Sequence, residues 1–182
     1  MLRVALDMLG ADGVPGFTAR NVAQEAATSV PAVYELFGDK AGLVREVFFE
    51  GFRMLRRRFD ALETSDDPRA DLVALLSAFR AFVSGNPVLA EVMFSRPFTD
   101  FDPGPQELTA TASVREFVVA RVGRAIDAGV LRGDATDVAH VLVALAQGLT
   151  AQENAGWLGT SAASIDRRFT LAIEAMLDGL AP

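Results

Sequence analysis

Tyr34 is the only tyrosine in the chain and Lys40 the only lysine, and they lie six positions apart. Thr18, Arg20 and Ser29 precede them within the same short stretch. A phenol, an ammonium, a guanidinium and two hydroxyls form a set of hydrogen-bond donors suited to phosphate oxygens. The same inventory argues against catalysis. There is no cysteine and a single histidine, His140. No glycine-rich phosphate loop follows a strand, and no carboxylate–histidine spacing makes a metal site. The chain is therefore expected to hold no catalytic residue, no metal and no cofactor, and not to be an enzyme.

The donors need short helices to position them. Thr18 is a good N-cap, since its hydroxyl can accept from a backbone N–H left orphaned in a first turn. Val22, Ala23 and Ala26 then recur at helical spacing. Ala27 and Thr28 interrupt, Ser29 caps again, and Pro31 follows in a first turn, where its missing N–H costs nothing. Val33, Leu36 and Phe37 give the second helix an apolar face. Two short helices joined by a tight turn make a helix-turn-helix, whose second helix can enter the major groove.

The run from Ala26 to Leu43 resembles the recognition helix and following turn of the TetR family of bacterial transcriptional regulators. The matching residues are Ala26, Ser29, Tyr34, Phe37, Lys40 and Leu43, preceded by Gly13, Phe17 and Thr18. The close likeness covers the first quarter to third of the chain. It implies an all-α fold, with an N-terminal three-helix helix-turn-helix head and a larger helical ligand-binding and dimerisation body. The head is expected over residues 1–45 and the body over 46–182. The implied function is a DNA-binding regulator, most often a repressor, bound to a palindromic operator as a homodimer and modulated by a small apolar effector. The expected location is the cytoplasm, with no membrane partner.

On this reading Tyr34 and Lys40 contact phosphate, and Thr18 and Arg20 clamp it from the preceding helix, where Arg20 could also reach a base edge. For the last two, a cap and a surface charge are the open alternative. Ser29, Val30, Pro31 and Ala32 face the bases. They are small or apolar, so thymine methyl groups and DNA shape should count for more than bidentate hydrogen bonds. Many relatives carry a lysine or arginine near Val30, so phosphate affinity per head should be modest. Relatives also carry a basic arm ahead of the first helix, whereas these residues begin almost at that helix, and arm contacts are not counted on.

Net charge is −7, yet residues 1–60 carry eight basic and eight acidic groups, so the whole excess lies in residues 61–182. A neutral head on an acidic body is compatible with DNA binding. The chain is 51% hydrophobic with mean hydropathy +0.26, enough for a sizeable core, and no apolar run approaches the ~20 residues that span a bilayer. The first helix is expected over residues 2–11, with Gly13 ending it. A longer one follows Gly38 and Asp39, with Val44, Phe48, Phe52, Leu55 and Phe59 on one stripe. Arg56, Arg57 and Arg58 read as its solvated face. Further helices are expected over 68–84, 87–94 and 106–128, with an irregular apolar loop over 95–105. Asp134 caps the next, which carries Val138, Val141, Leu142, Leu145 and Leu149. Ser164 caps the last, with Ile165, Phe169, Ile173, Met176 and Leu180 on one face.

Small residues on the penultimate helix (Ala139, Ala144, Ala146, Gly148, Ala151, Ala155) would let a second copy approach closely. His140 and Gln147 are polar groups on an otherwise apolar helix. They suit satisfied polar groups of a core or interface better, with a small-molecule pocket walled by Phe79, Phe82, Met93, Phe94, Phe98 and Trp157 as the other reading. One alternative function remains: a helical ligand-sensing or partner-binding protein with weak or lost DNA binding.

Overall fold

Apolar residues at three- and four-residue steps, broken by proline and glycine, call for helices. The computed structural model describes residues 1–95, 97–98, 101 and 104–182. Nine α-helices run through them: α1 (Leu2–Gly16), α2 (Ala19–Glu25), α3 (Val30–Phe37), α4 (Lys40–Asp60), α5 (Pro68–Gly85), α6 (Pro87–Phe94), α7 (Pro105–Asp127), α8 (Ala135–Asn154) and α9 (Ala162–Gly179). No strand occurs among the described residues. No single helix there is long and apolar enough to cross a membrane.

The helices form two compact units. The first comprises Met1–Met54 and Asn86–Ala112, the second Leu55–Gly85 and Ser113–Pro182. α4 and α7 each supply residues to both. In the first unit, Leu9, Phe17, Val22, Val33, Leu43 and Val47 are almost fully buried. Gly13 takes φ +67° and breaks α1 near its end, as a left-handed glycine should. α6 completes this core from a distant part of the chain: Phe94 meets Phe52 of α4 edge-on, with ring centroids 5.8 Å apart. The expected α4 stripe holds throughout, with Val44, Phe48, Phe52, Leu55 and Phe59 all buried.

In the second unit, Leu72, Leu75 and Leu76 of α5 are buried, as are Val138 and Leu142 of α8 and Phe169 and Ile173 of α9. A buried carboxylate sits at its edge. Asp71 accepts from the Ser65 hydroxyl at 2.8 Å and from the Ser65 N–H at 3.1 Å. It also pairs with Arg124, and with Arg121 at 3.3 Å. Burial works to raise its pKa, but the Ser65 hydrogen bonds and the Arg124 charge outweigh burial and hold it below the usual carboxylate value. Arg56 is not simply solvated. It bonds the Ser113 carbonyl at 2.9 Å and lies over the Phe117 ring, 5.1 Å from its centroid.

Three expectations for this unit need correction. Ser161, not Ser164, caps the last helix. Its hydroxyl accepts from the Ser164 N–H at 3.3 Å, and the Ser164 hydroxyl accepts from the Ser161 N–H at 3.1 Å, a reciprocal capping box. Val141 is 45% exposed rather than inward. The small residues of α8 and its C-cap occupy two faces: Ala139 and Ala146 are buried, while Ala144, Gly148, Ala151 and the capping Ala155 are exposed.

Candidate nucleic-acid interface

The head is built from capped helix starts. Thr18 accepts from the Asn21 N–H at 3.2 Å and opens α2. The Asn21 side-chain amide donates to the Gly16 carbonyl at 2.9 Å, tying that start to the end of α1. α2 closes on a Schellman turn: the Thr28 N–H reaches the Ala23 carbonyl at 2.8 Å and the Ala27 N–H reaches Gln24 at 3.1 Å. The left-handed residue is Ala27, at φ +49°, not a glycine. Ser29 then caps α3 by accepting from the Ala32 N–H at 3.3 Å.

α3 fixes the orientation of its side chains by burying one of them. Val33 is fully buried, while its neighbour Tyr34 is 43% exposed. The phenol thus points to the outer side of the helix. Ser29 and Pro31 are exposed, and Val30 and Ala32 are half-buried. Leu36, expected on the inner face with Val33 and Phe37, is instead 62% exposed. A step of three residues from Val33 carries Leu36 off the narrow stripe of an eight-residue helix, whereas Phe37, four residues on, stays half-buried. The recognition helix thus shows an apolar surface at its end that the residue pattern concealed.

Lys40 is the first residue of α4. Asp39 caps that helix, accepting from the Gly42 N–H at 2.7 Å. One of the N–H groups available to a phosphate at this helix start is therefore already engaged. A Cβ on Gly42 would stand 1.8 Å from the Phe37 carbonyl oxygen, so only glycine lets α4 begin so close to the end of α3. The Asp-x-x-Gly spacing from 39 to 42 is the signal that could have identified this cap in advance. Lys40 is exposed, and its Nζ lies 5.5 Å from the centroid of the Phe98 ring. Thr18 is half-buried and Arg20 exposed at the start of α2.

A groove of about 300 Å³ along α1 is lined by Val4, Asp7, Met8, Ala11, Asp12 and Glu25. Its three carboxylates oppose phosphate, so this side of the head is unsuited to the DNA backbone. Behind α4, Glu107 is buried and accepts from Arg45 Nε at 2.5 Å and from the Gly104 N–H at 2.8 Å. Burial alone would raise its pKa, but the hydrogen bonds from Arg45 and the backbone hold it below the ordinary value.

The residues named for an effector pocket divide between the units. Met93, Phe94 and Phe98 belong to the first, and Phe79, Phe82, His140 and Gln147 to the second. Phe79 and Phe82 are buried in α5. His140 is exposed, with Nδ1 2.7 Å from the Thr136 carbonyl, and Gln147 is half-buried. Trp157 is 79% exposed. Of the loop expected over 95–105, residues 96, 99, 100, 102 and 103 lie outside the described residues.

Residues 1–47 match the family described as bacterial regulatory proteins, tetR family. Residues 72–176, more than half the chain, match the tetracyclin repressor-like C-terminal domain. No curated protein matches the sequence significantly. Among solved structures, a protein of unknown function from Rhodococcus sp. RHA1 is 28% identical, with a TM-score of 0.86 over 100% of this chain and 93% of that one. The TetR family transcriptional regulator PfmR from Thermus thermophilus is 17% identical, with a TM-score of 0.73 over 100% and 98%. A TetR variant from Acinetobacter baumannii in complex with minocycline is 17% identical, with a TM-score of 0.69 over 98% and 92%. The last two bear on the fold alone. With a capped helix-turn-helix at one end and a matching C-terminal body at the other, the chain belongs to the TetR family and is a DNA-binding transcriptional regulator.

Proposed function

We propose that the protein is a homodimeric repressor of a palindromic operator, with DNA contacts from residues 1–45 and effector binding and dimerisation in residues 46–182. The observation that carries the DNA reading is the pairing of buried Val33 with outward Tyr34 on a helix capped by Ser29. Tyr34, Lys40, Thr18 and Arg20 position the head on phosphate, and Ser29, Val30, Pro31 and Ala32 meet base edges. Support for the dimer comes from the second unit. The exposed stripe Val141, Ala144, Gly148, Ala151 and Ala155 on α8 and its C-cap, with Leu171 67% exposed on α9, is apolar or small. A two-fold dimer matches a palindromic operator, whose half-sites lie one helical turn of DNA apart. A small apolar effector is proposed for the body, with Phe79, Phe82, His140 and Gln147 as candidate contacts. It can shift DNA affinity only by binding two head arrangements unequally.

The test is selection of bound fragments from a random DNA pool by the full-length protein, at low and moderate salt. A palindrome with half-sites about 34–36 Å apart is the expected result. Recovery of fragments with no shared motif, together with a monomer in solution, would overturn the proposal.

A further inference from the structure

Phe98 stands in the short connection between α6 and α7, outside the helix-turn-helix, yet it is only 6% exposed. Its ring meets Phe17, with centroids 5.8 Å apart and planes tilted by 56°. The Lys40 Nζ lies over the same ring at 5.5 Å. Phe17 immediately precedes Thr18, the cap of α2, and Lys40 opens α4. One side chain therefore touches the chain just before and just after the helix pair proposed to meet DNA. Phe98 is itself held in place. Phe101, three residues on, packs against Phe48 of α4 at 5.6 Å, and Glu107 ties the following helix start to Arg45 and to the Gly104 N–H.

We infer that Phe98 is a positioning residue for DNA binding, holding Lys40 by its ring face and packing against Phe17 so that the phosphate-contacting groups meet the backbone preformed. The inference rests on the proposed phosphate role of Lys40. Lysine is long and loses much rotamer freedom when it binds. A ring beneath its ammonium restricts that freedom beforehand, and cation–π attraction supplies the restraint. Phe98 thereby takes part in DNA affinity through Lys40 and Phe17.

The test uses the full-length protein and a labelled mixed-sequence duplex long enough for two half-sites, titrated between about 50 and 200 mM salt. Lys40→Met should weaken binding and lower the salt slope by about 0.9, the loss of one phosphate contact. If it changes neither, the phosphate role fails and the inference with it. Phe98→Leu should weaken binding about two- to five-fold with Lys40 present and not at all in the Lys40→Met background. Phe98→Tyr, which keeps the ring, should bind like the parent. A Phe98→Leu loss undiminished in the Lys40→Met background, with the Lys40 effect intact, would overturn the inference alone. One measurement needs no variant. Lys40 is the only lysine, so its Cε protons give one signal, which the Phe98 ring should shift upfield in the free protein. A signal at the unfolded-chain position would equally overturn the inference.

Discussion

Tyr34 illustrates how a single burial decides the use of its neighbour. Val33 fills the head core completely, and the geometry of a helix then turns the next residue through about 100° toward water. The phenol is left on the exposed side of the helix. Tyr34→Phe removes its hydroxyl donor while leaving the ring in place. It should weaken DNA binding about three- to tenfold, almost equally for every duplex, since a phosphate contact carries no base information. Binding titrations on several unrelated duplexes check this; a change in which sequence is preferred would assign Tyr34 to base readout instead. Tyr34 was readable from the residue pattern because Val33 and Phe37 already claim the inner face. Leu36 was not, because hydrophobicity alone does not say on which side of a short helix a residue lies. Phe98 likewise read as a pocket wall, and its place against Phe17 and Lys40 depends on a long-range contact that periodicity does not encode.

At the scale of elements, the spans of the helices follow closely from the apolar stripes and from Pro68, Pro87, Gly129 and Asp134 as punctuation. Ends were harder. Ser161 and Ser164 are chemically identical candidates three residues apart, and only the reciprocal hydrogen bonds distinguish cap from third residue. The turn between α2 and α3 carries an avoidable cost. Ala27 holds a left-handed conformation that disfavours any residue with a Cβ, by roughly 1–2 kcal/mol. Glycine would relieve this but would enlarge the freedom of the unfolded chain by about 0.5–1 kcal/mol. Ala27→Gly should therefore stabilise the head by about 0.5–1 kcal/mol. Denaturant midpoints of the two proteins at equal slope check the sign. A loss of stability would mean that the alanine methyl makes a packing contribution larger than the strain.

At the scale of the whole molecule, each unit contains, among the described residues, one buried carboxylate held in its charged form, Glu107 in the first and Asp71 in the second. Both have folded pKa values below the ordinary carboxylate range, so the native state binds a proton less tightly than the unfolded chain does. Their stabilisation is fully present above the unfolded value and is lost as pH falls through the folded one. Denaturant midpoints should therefore decline on acidification below the usual carboxylate range. Glu107→Gln should cost about 1 kcal/mol at neutral pH, a modest figure because Arg45 remains partly in water, and should flatten the acid decline. An unchanged pH profile would show that Glu107 titrates alike folded and unfolded. The two-part order of the chain has a further outcome, during synthesis. The first unit takes its residues from both sides of an intervening stretch, 55–85, that belongs to the second. As the nascent chain leaves the ribosome, α1 to α4 emerge without the partners that cover Phe17, Phe48 and Phe52, which arrive only with Phe98, Phe101 and Phe94. At about 5–20 residues per second, the DNA-reading end waits several seconds with aromatic surface uncovered. The head is thus the first part made but not the first finished, and translation pauses within residues 55–85 would lengthen its exposure to chaperones and proteases.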